Sequence, residues 1–238
     1  MTSNQPTPKR HWLGPQDRPR RGWAGFICRF LPEQPDSERL NEYDHRDVFR
    51  PVTDRLIALG SILGVVAMFF VGRWLFPVLG MSPFGQAIDA SAGDDPTKPS
   101  VLSIVLVLGL FLVLTALSLF AIFGIVTGKL FSFFYPMALA EEHWFRAGAE
   151  DWTIAQRIKS CALFGVAHLL SLIVAYVTLG ALAIVGGVFL AVYLHELRSS
   201  GDRGRAPVRA AAVHARYNVY AVCFFVVMFL RSIVVLFT

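Results

Sequence analysis

From Val101 to Ala140 the chain is apolar apart from a single charged side chain, Lys129. At a rise of about 1.5 Å per residue, a helix that long overshoots a hydrocarbon core roughly 30 Å thick. Two helices meeting near Gly128 and Lys129 are the economical arrangement, with Pro136 expected to kink the second just ahead of Glu141. Further apolar blocks run from Leu56 to Gly80, Cys161 to Val177, Leu179 to Leu197 and Pro207 to Phe237. The hydrophobic content of 55% and the mean hydropathy of +0.53 are high for a soluble domain, and the apolar residues are gathered into these blocks. The pattern predicts an all-α polytopic transmembrane helix bundle of about six spans.

The blocks divide the chain into a polar N-terminal tail, residues 1–55, and a transmembrane domain, residues 56–238. The tail is rich in Pro, Arg and acidic groups, is expected to be mobile, and has one short apolar patch, Trp23 to Leu31, suited to the bilayer surface. The first long block begins too late for a secretory signal peptide, so the tail is expected to be retained. Gly72, Arg73 and Pro77 interrupt the first span, where Arg73 is expected to reach for the interface. Met81 to Ser100 reads as a polar loop, and Ala147 to Ser160 as a polar connection in which Asp151 and Trp152 mark a helix start. Gly186 and Gly187 suit close helix packing, and Pro207 suits the first position of the final helix.

Basic residues outnumber acidic ones for a net charge of +5, and they cluster in the tail and in the loop Arg198 to Arg209 without interleaved aromatics. Attraction to a lipid surface accounts for them better than nucleic acid does. Cys28, Cys161 and Cys223 lie far apart, so neither a disulfide framework nor a cysteine metal site follows. The predominance of Arg over Lys, with abundant Ala, Gly and Val, has a bacterial character, and the bacterial plasma membrane is the expected location.

Against this background the polar groups at helix borders draw attention, because ionisable side chains at membrane depth are expensive. Glu141, Glu142 and Arg146 form Glu-Glu-x-x-x-Arg, Phe164 and His168 form Phe-x-x-x-His, and His214 and Asn218 form His-x-x-x-Asn. A spacing of four places each pair on one helix face. Two adjacent carboxylates at the end of an apolar helix cannot both ionise cheaply without a partner. Arg146 stands at the spacing of an ion pair with Glu142, which leaves Glu141 free to act as a general base on water. His214 and Asn218 offer an imidazole and an amide, donors suited to a tetrahedral oxyanion. Taken singly, the motifs are also explained by a helix-end salt bridge, a packed histidine and interhelical hydrogen bonds.

The ordered trio resembles the CAAX-processing and bacteriocin-processing (CPBP, or Abi) family of intramembrane proteases. The likeness covers roughly Leu130 to Asn218 and includes the text FGVAHLL and VFLAVYL. It implies a protease-like core at about residues 130–236 in an all-helical membrane bundle with a cavity open to one side. It also implies that Glu141 activates water with help from His168, that Arg146 positions the acidic pair, and that His214 and Asn218 stabilise the oxyanion. The chain departs from the family pattern inside the first motif, where His143, Trp144 and Phe145 replace apolar residues.

The leading expectation is therefore a membrane hydrolase, an endopeptidase that needs no cofactor and has a lipid-associated peptide or protein as its partner. A non-enzymatic immunity or accessory subunit is an alternative. So is a metal-dependent membrane hydrolase using Glu141, His168 and His214, although Arg146 counts against a bound cation. The arginine loop beside the motif helices argues for a site facing the cytoplasm, but six spans would leave the basic tail outside. Either the first segment does not fully cross or the Val101 to Ala140 region crosses an odd number of times.

Overall fold

The first long helix begins before the apolar block does. Pro51 occupies its first position, where a missing N–H costs nothing, and the Asp54 carboxylate accepts the Arg50 backbone N–H at 2.9 Å to close the first turn. These two residues move the start ahead of the expected Leu56. In the computed structural model the described residues are 22–31, 48, 50–75, 109, 122, 124, 129–168 and 177–237, without the side chains of 24, 73, 177 and 229–237. The loop expected at Met81 to Ser100, most of the Val101 to Gly128 block and most of the tail lie outside them, as does the side chain of Arg73.

Among the described residues all regular structure is helical: α1 (Gly22–Cys28), α2 (Pro51–Leu75), α3 (Leu130–Arg146), a 3-10 turn (Ala149–Asp151), α4 (Ile154–Ala167), α5 (Val177–Ser200) and α6 (Arg205–Phe237). Three stretches are long and apolar enough to cross a membrane, Pro51–Gly72 in α2, Thr178–Ser200 in α5 and Arg205–Met228 in α6. That is the character of an integral membrane protein. Leu56, Leu59, Leu63, Phe70 and Trp74 along α2 point outward, as a lipid-facing surface requires. α6 packs on α2, α3 and α5, and α4 packs on α5.

Lys129 sits at the N-cap of α3, so the break expected near Gly128 and Lys129 is where that helix begins. α4 starts close to the helix start expected at Asp151 and Trp152 and departs from expectation at its other end. The Thr153 side chain accepts the Gln156 N–H while the Gln156 side chain accepts the Thr153 N–H, a reciprocal cap that starts the helix in the polar connection. It ends at Ala167, so His168 stands at a helix terminus and not midway along a span from Cys161 to Val177. Residues 169–176 lie outside the described residues.

Two glycines set the approach of α4 to α5. A Cβ on Gly165 would lie 2.5 Å from the Leu179 carbonyl oxygen, and one on Gly186 would lie 2.9 Å from the Phe164 ring. Among the described residues a Cβ on Gly187 would meet nothing within 4 Å, so there it is Gly186 of the pair that serves close packing. The α5–α6 connection is equally compact. Gly201, at φ +70°, ends α5 by donating its N–H to the Leu197 carbonyl, and Asp202 Oδ1 accepts the N–H groups of Gly204 and Arg205. α6 therefore starts at Arg205, and Pro207 lies within its first turn and not at its first position.

The patch from Trp23 to Leu31 is divided between protein and surroundings. Ile27, Cys28 and Leu31 are buried in the core, whereas Trp23, Phe26 and Phe30 are exposed, with the Phe26 ring in contact with the other two. The segment is thus packed on one side against the core.

Candidate active site

α3 delivers Glu141, Glu142 and Arg146 from its last turns, and a network of polar contacts fixes the direction in which it does so. Gly148, at φ +86°, turns the chain away from α3. The Gly148 N–H donates to the Tyr193 hydroxyl (3.3 Å), which in turn donates to Glu150 Oε2 (2.8 Å). Arg203 pairs with Glu150 and Asp151 at 2.8 and 3.0 Å, and Ser160 donates to the Phe145 carbonyl. The α3–α4 corner is thereby tied to α5 and to the α5–α6 connection.

Glu142 is the buried member of the acidic pair. It lies 2.8 Å from Arg146 through Oε1, as the spacing implies, and the same oxygen lies 2.8 Å from Nδ1 of His214 on α6. Because that oxygen faces a guanidinium it is an ionised acceptor, so His214 Nδ1 carries the proton and donates. Arg146 also donates through Nη2 to the Gly186 carbonyl (3.2 Å) and lies over the rings of Phe164 and Phe189. Phe189 stacks on His214 with ring centroids 4.5 Å apart. Gly186 and Phe189 were not singled out from the sequence as site residues, though Phe189 falls within VFLAVYL; an aromatic in an apolar helix gives no sign of the ring it will face.

Glu141 faces outward from this layer. Its side chain is 25% exposed and that of His168 32%, against 0% for Glu142, 1% for His214 and 2% for Arg146. His168 Nδ1 lies 2.8 Å from the Phe164 carbonyl. A carbonyl only accepts, so here too Nδ1–H is the donor. Wherever a ring is neutral its Nε2 then carries the lone pair, and both Nε2 atoms lie near the same oxygen: Glu141 Oε2 is 3.8 Å from His168 Nε2 and 3.6 Å from His214 Nε2. These distances exceed a hydrogen bond, and among the described residues that buried oxygen has no hydrogen-bond partner. Three lone pairs thus converge on a small gap, an arrangement that favours an occupant bearing positive charge or donating protons.

The structure brings Glu141, Glu142, Arg146, His168 and His214 together. Asn218 lies one turn beyond His214 on α6, half-buried, and makes no hydrogen bond with the described residues. His143 is buried in α3.

A second charged cluster, not anticipated from the sequence, lies away from these residues. Arg209 is 3% exposed and contacts Asp54 (2.6 Å) and Glu196 (3.3 Å), while Glu196 also takes Arg205 (2.6 Å) and Arg50 (3.4 Å). Arg205 and Arg209, read from the sequence as part of a surface loop, are helical residues that join α6 to α2 and α5. The signal available was the isolated Asp54 and Glu196 near the ends of apolar segments.

Comparison of the chain with protein-family models, with curated proteins and with solved structures finds no match in any of the three.

Proposed function

We propose that the chain is an intramembrane endopeptidase of the CPBP kind, in which Glu141 activates a water molecule to hydrolyse a peptide bond near the membrane. The observation that carries this reading is the convergence of Glu141 Oε2 with two imidazole nitrogens whose tautomers are fixed by Phe164 and Glu142. A water in the gap gives its hydrogens to two of the three acceptors and keeps a lone pair free for attack.

As its oxygen bonds to the carbonyl carbon, one proton passes to Glu141, with His168 sharing it. Asn218 is the ready donor to the oxyanion. His214 becomes one only when Nε2 is also protonated, a form that Glu142 stabilises through Nδ1–H. Collapse breaks the C–N bond, and the proton held by Glu141 moves to the leaving amine. Arg146 fixes Glu142 and, through it, the His214 ring. No cofactor is required by this scheme.

The six-span reading of the sequence adds to these three candidate spans the Val101 to Gly128 block, α3 and the block that begins at Cys161. The arginines at the α5–α6 connection favour a site facing the cytoplasm of a bacterial cell. The substrate is then a membrane-associated peptide or protein segment, such as a prenylated tail or a leader peptide. Comparing the membrane peptidome of cells carrying the wild type with that of cells carrying Glu141→Gln identifies it. Purified Glu141→Gln, which keeps the shape but not the base, is expected to lose about 10²- to 10⁴-fold in cleavage rate while remaining folded. Full turnover by this variant would remove Glu141 as the base.

A further inference from the structure

The charges where α2, α5 and α6 meet do not balance. Asp54 and Glu196 are the carboxylates there; Arg209 contacts both, and Arg205 and Arg50 share Glu196 with it. Arg55 on α2 and Arg216 on α6 add two more guanidiniums, and Arg216 lies within electrostatic reach of Asp54, Arg55 and Arg209. Among the described residues of this region five arginines thus stand beside two carboxylates, at the border of the candidate spans Pro51–Gly72 and Arg205–Met228.

The level of the surplus charge follows from the contacts. Arg209 meets Asp54, so the first turns of α6 and α2 lie side by side. Arg216 leaves α6 two turns further on, but its guanidinium reaches back. Nη1 donates to the Ala212 carbonyl at 2.6 Å, and the group lies over the Phe131 ring, 4.6 Å from its centroid. Its charge therefore sits within about one turn, roughly 5 Å along the axis, of the Arg209–Asp54 contact. Arg55 follows the buried Asp54 and is exposed in one row with Val52, Leu56, Leu59 and Leu63, the surface of α2 that faces lipid.

A cation in such a row is costly without an anion at the same depth. At a membrane border that anion is a phosphate, and a planar guanidinium matches two phosphate oxygens at once. The apolar row running inward from Arg55 selects a phosphate that carries acyl chains over a free one. We propose that Arg55 and Arg216 form, at the seam of α2 and α6, a binding site for the phosphate of an anionic phospholipid whose chains lie along Leu56, Leu59 and Leu63. The bound lipid offsets the surplus charge and joins α2 to α6 from outside. This site is independent of the peptidase reading.

Delipidated protein in a non-ionic detergent, titrated with phosphatidylglycerol or phosphatidylcholine and followed by native mass spectrometry, tests it. Phosphatidylglycerol is expected to bind about 10-fold more tightly than phosphatidylcholine. Arg55→Gln alters an exposed side chain, so folded protein is expected, and its affinity for phosphatidylglycerol should fall about 5-fold with that for phosphatidylcholine unchanged. Arg55→Lys should keep part of the preference, since the charge remains and the fork is lost. Lys159→Gln removes an exposed cation on α4 and should leave both affinities as they were. Equal binding of the two lipids by the wild type, or an undiminished preference in Arg55→Gln, overturns the site. Equally tight binding of glycerol phosphate, the headgroup without its chains, overturns a lipid as the occupant.

Discussion

Glu141 and Glu142 are neighbours along the chain and occupy unlike surroundings, and the difference comes from which side of α3 each leaves. Glu142 enters a layer where Arg146, His214 and two phenylalanine rings exclude water. Removing the cation from that layer strands a buried carboxylate. Arg146→Ala is accordingly expected to lower stability by about 3 kcal/mol, read as thermal melts in detergent. Arg146→Lys should restore only part of it, because one ammonium cannot pair with Glu142, reach Gly186 and spread over Phe164 together. An unchanged melt for Arg146→Ala would place the pair in solvent. His168→Ala is expected to lose most cleavage with little change in the melt, since His168 sits at the exposed edge, whereas His214→Ala should lose both. The spacing of four between Glu142 and Arg146 was legible in the sequence, because it is a property of a single helix. The bond from His214 to Glu142 was not. It joins residues on different helices, and the sequence offered an interhelical hydrogen bond from His214 only as an alternative, with no partner named.

At the scale of elements, α4 and α5 meet where side chains are absent. Gly165→Ala places a methyl group against backbone of α5 and is expected to cost about 1–3 kcal/mol in the same melts. Gly187→Ala meets nothing among the described residues and should be neutral or gain up to about 1 kcal/mol from helix propensity. Equal effects of the two would mean that α4 and α5 are not in close contact at Gly165. Sequence pattern pointed to the paired glycines and passed over Gly165, since a lone glycine in an apolar run has no periodicity to betray the backbone opposite it. The start of α3 was legible in Lys129, the one charge in a long apolar block, and that of α4 in the polar run at Asp151 and Trp152, but Pro51 was outweighed in the reading by hydropathy, which marks membrane depth and not helix ends. The termination of α4 at Ala167 had no such mark, because the group that takes over the Phe164 carbonyl is the histidine side chain itself.

For the whole molecule, the side of the membrane that holds the site is decided by labelling. Ser200 is exposed where α5 ends. In a background lacking Cys28, Cys161 and Cys223, Ser200→Cys is expected to resist an impermeant thiol reagent in intact cells and to react once the membrane is opened. Reaction in intact cells would put this end of the bundle outside and exclude a cytoplasmic substrate. Ser91→Cys should behave like Ser200→Cys if six full spans are present, and oppositely if an odd number of crossings separates them.

The contacts of Arg209 bear on how the bundle is assembled. Asp54 on α2 and Glu196 on α5 form an acidic socket, and the arginine that fills it arrives on a helix synthesised after both. Alone in lipid, the first turns of α6 would carry an unmatched charge at a cost of about 2.5–3.5 kcal/mol near the bilayer centre, falling toward its surface. With the socket already built, the same charge directs α6 to one slot and one rotation. Chain order thus makes the receptacle on α2 and α5 before its key on α6. A chain carrying Asp54→Asn together with Glu196→Gln should emerge with α6 poorly inserted and be cleared by the cell's proteases before the chemistry of its site is ever in question.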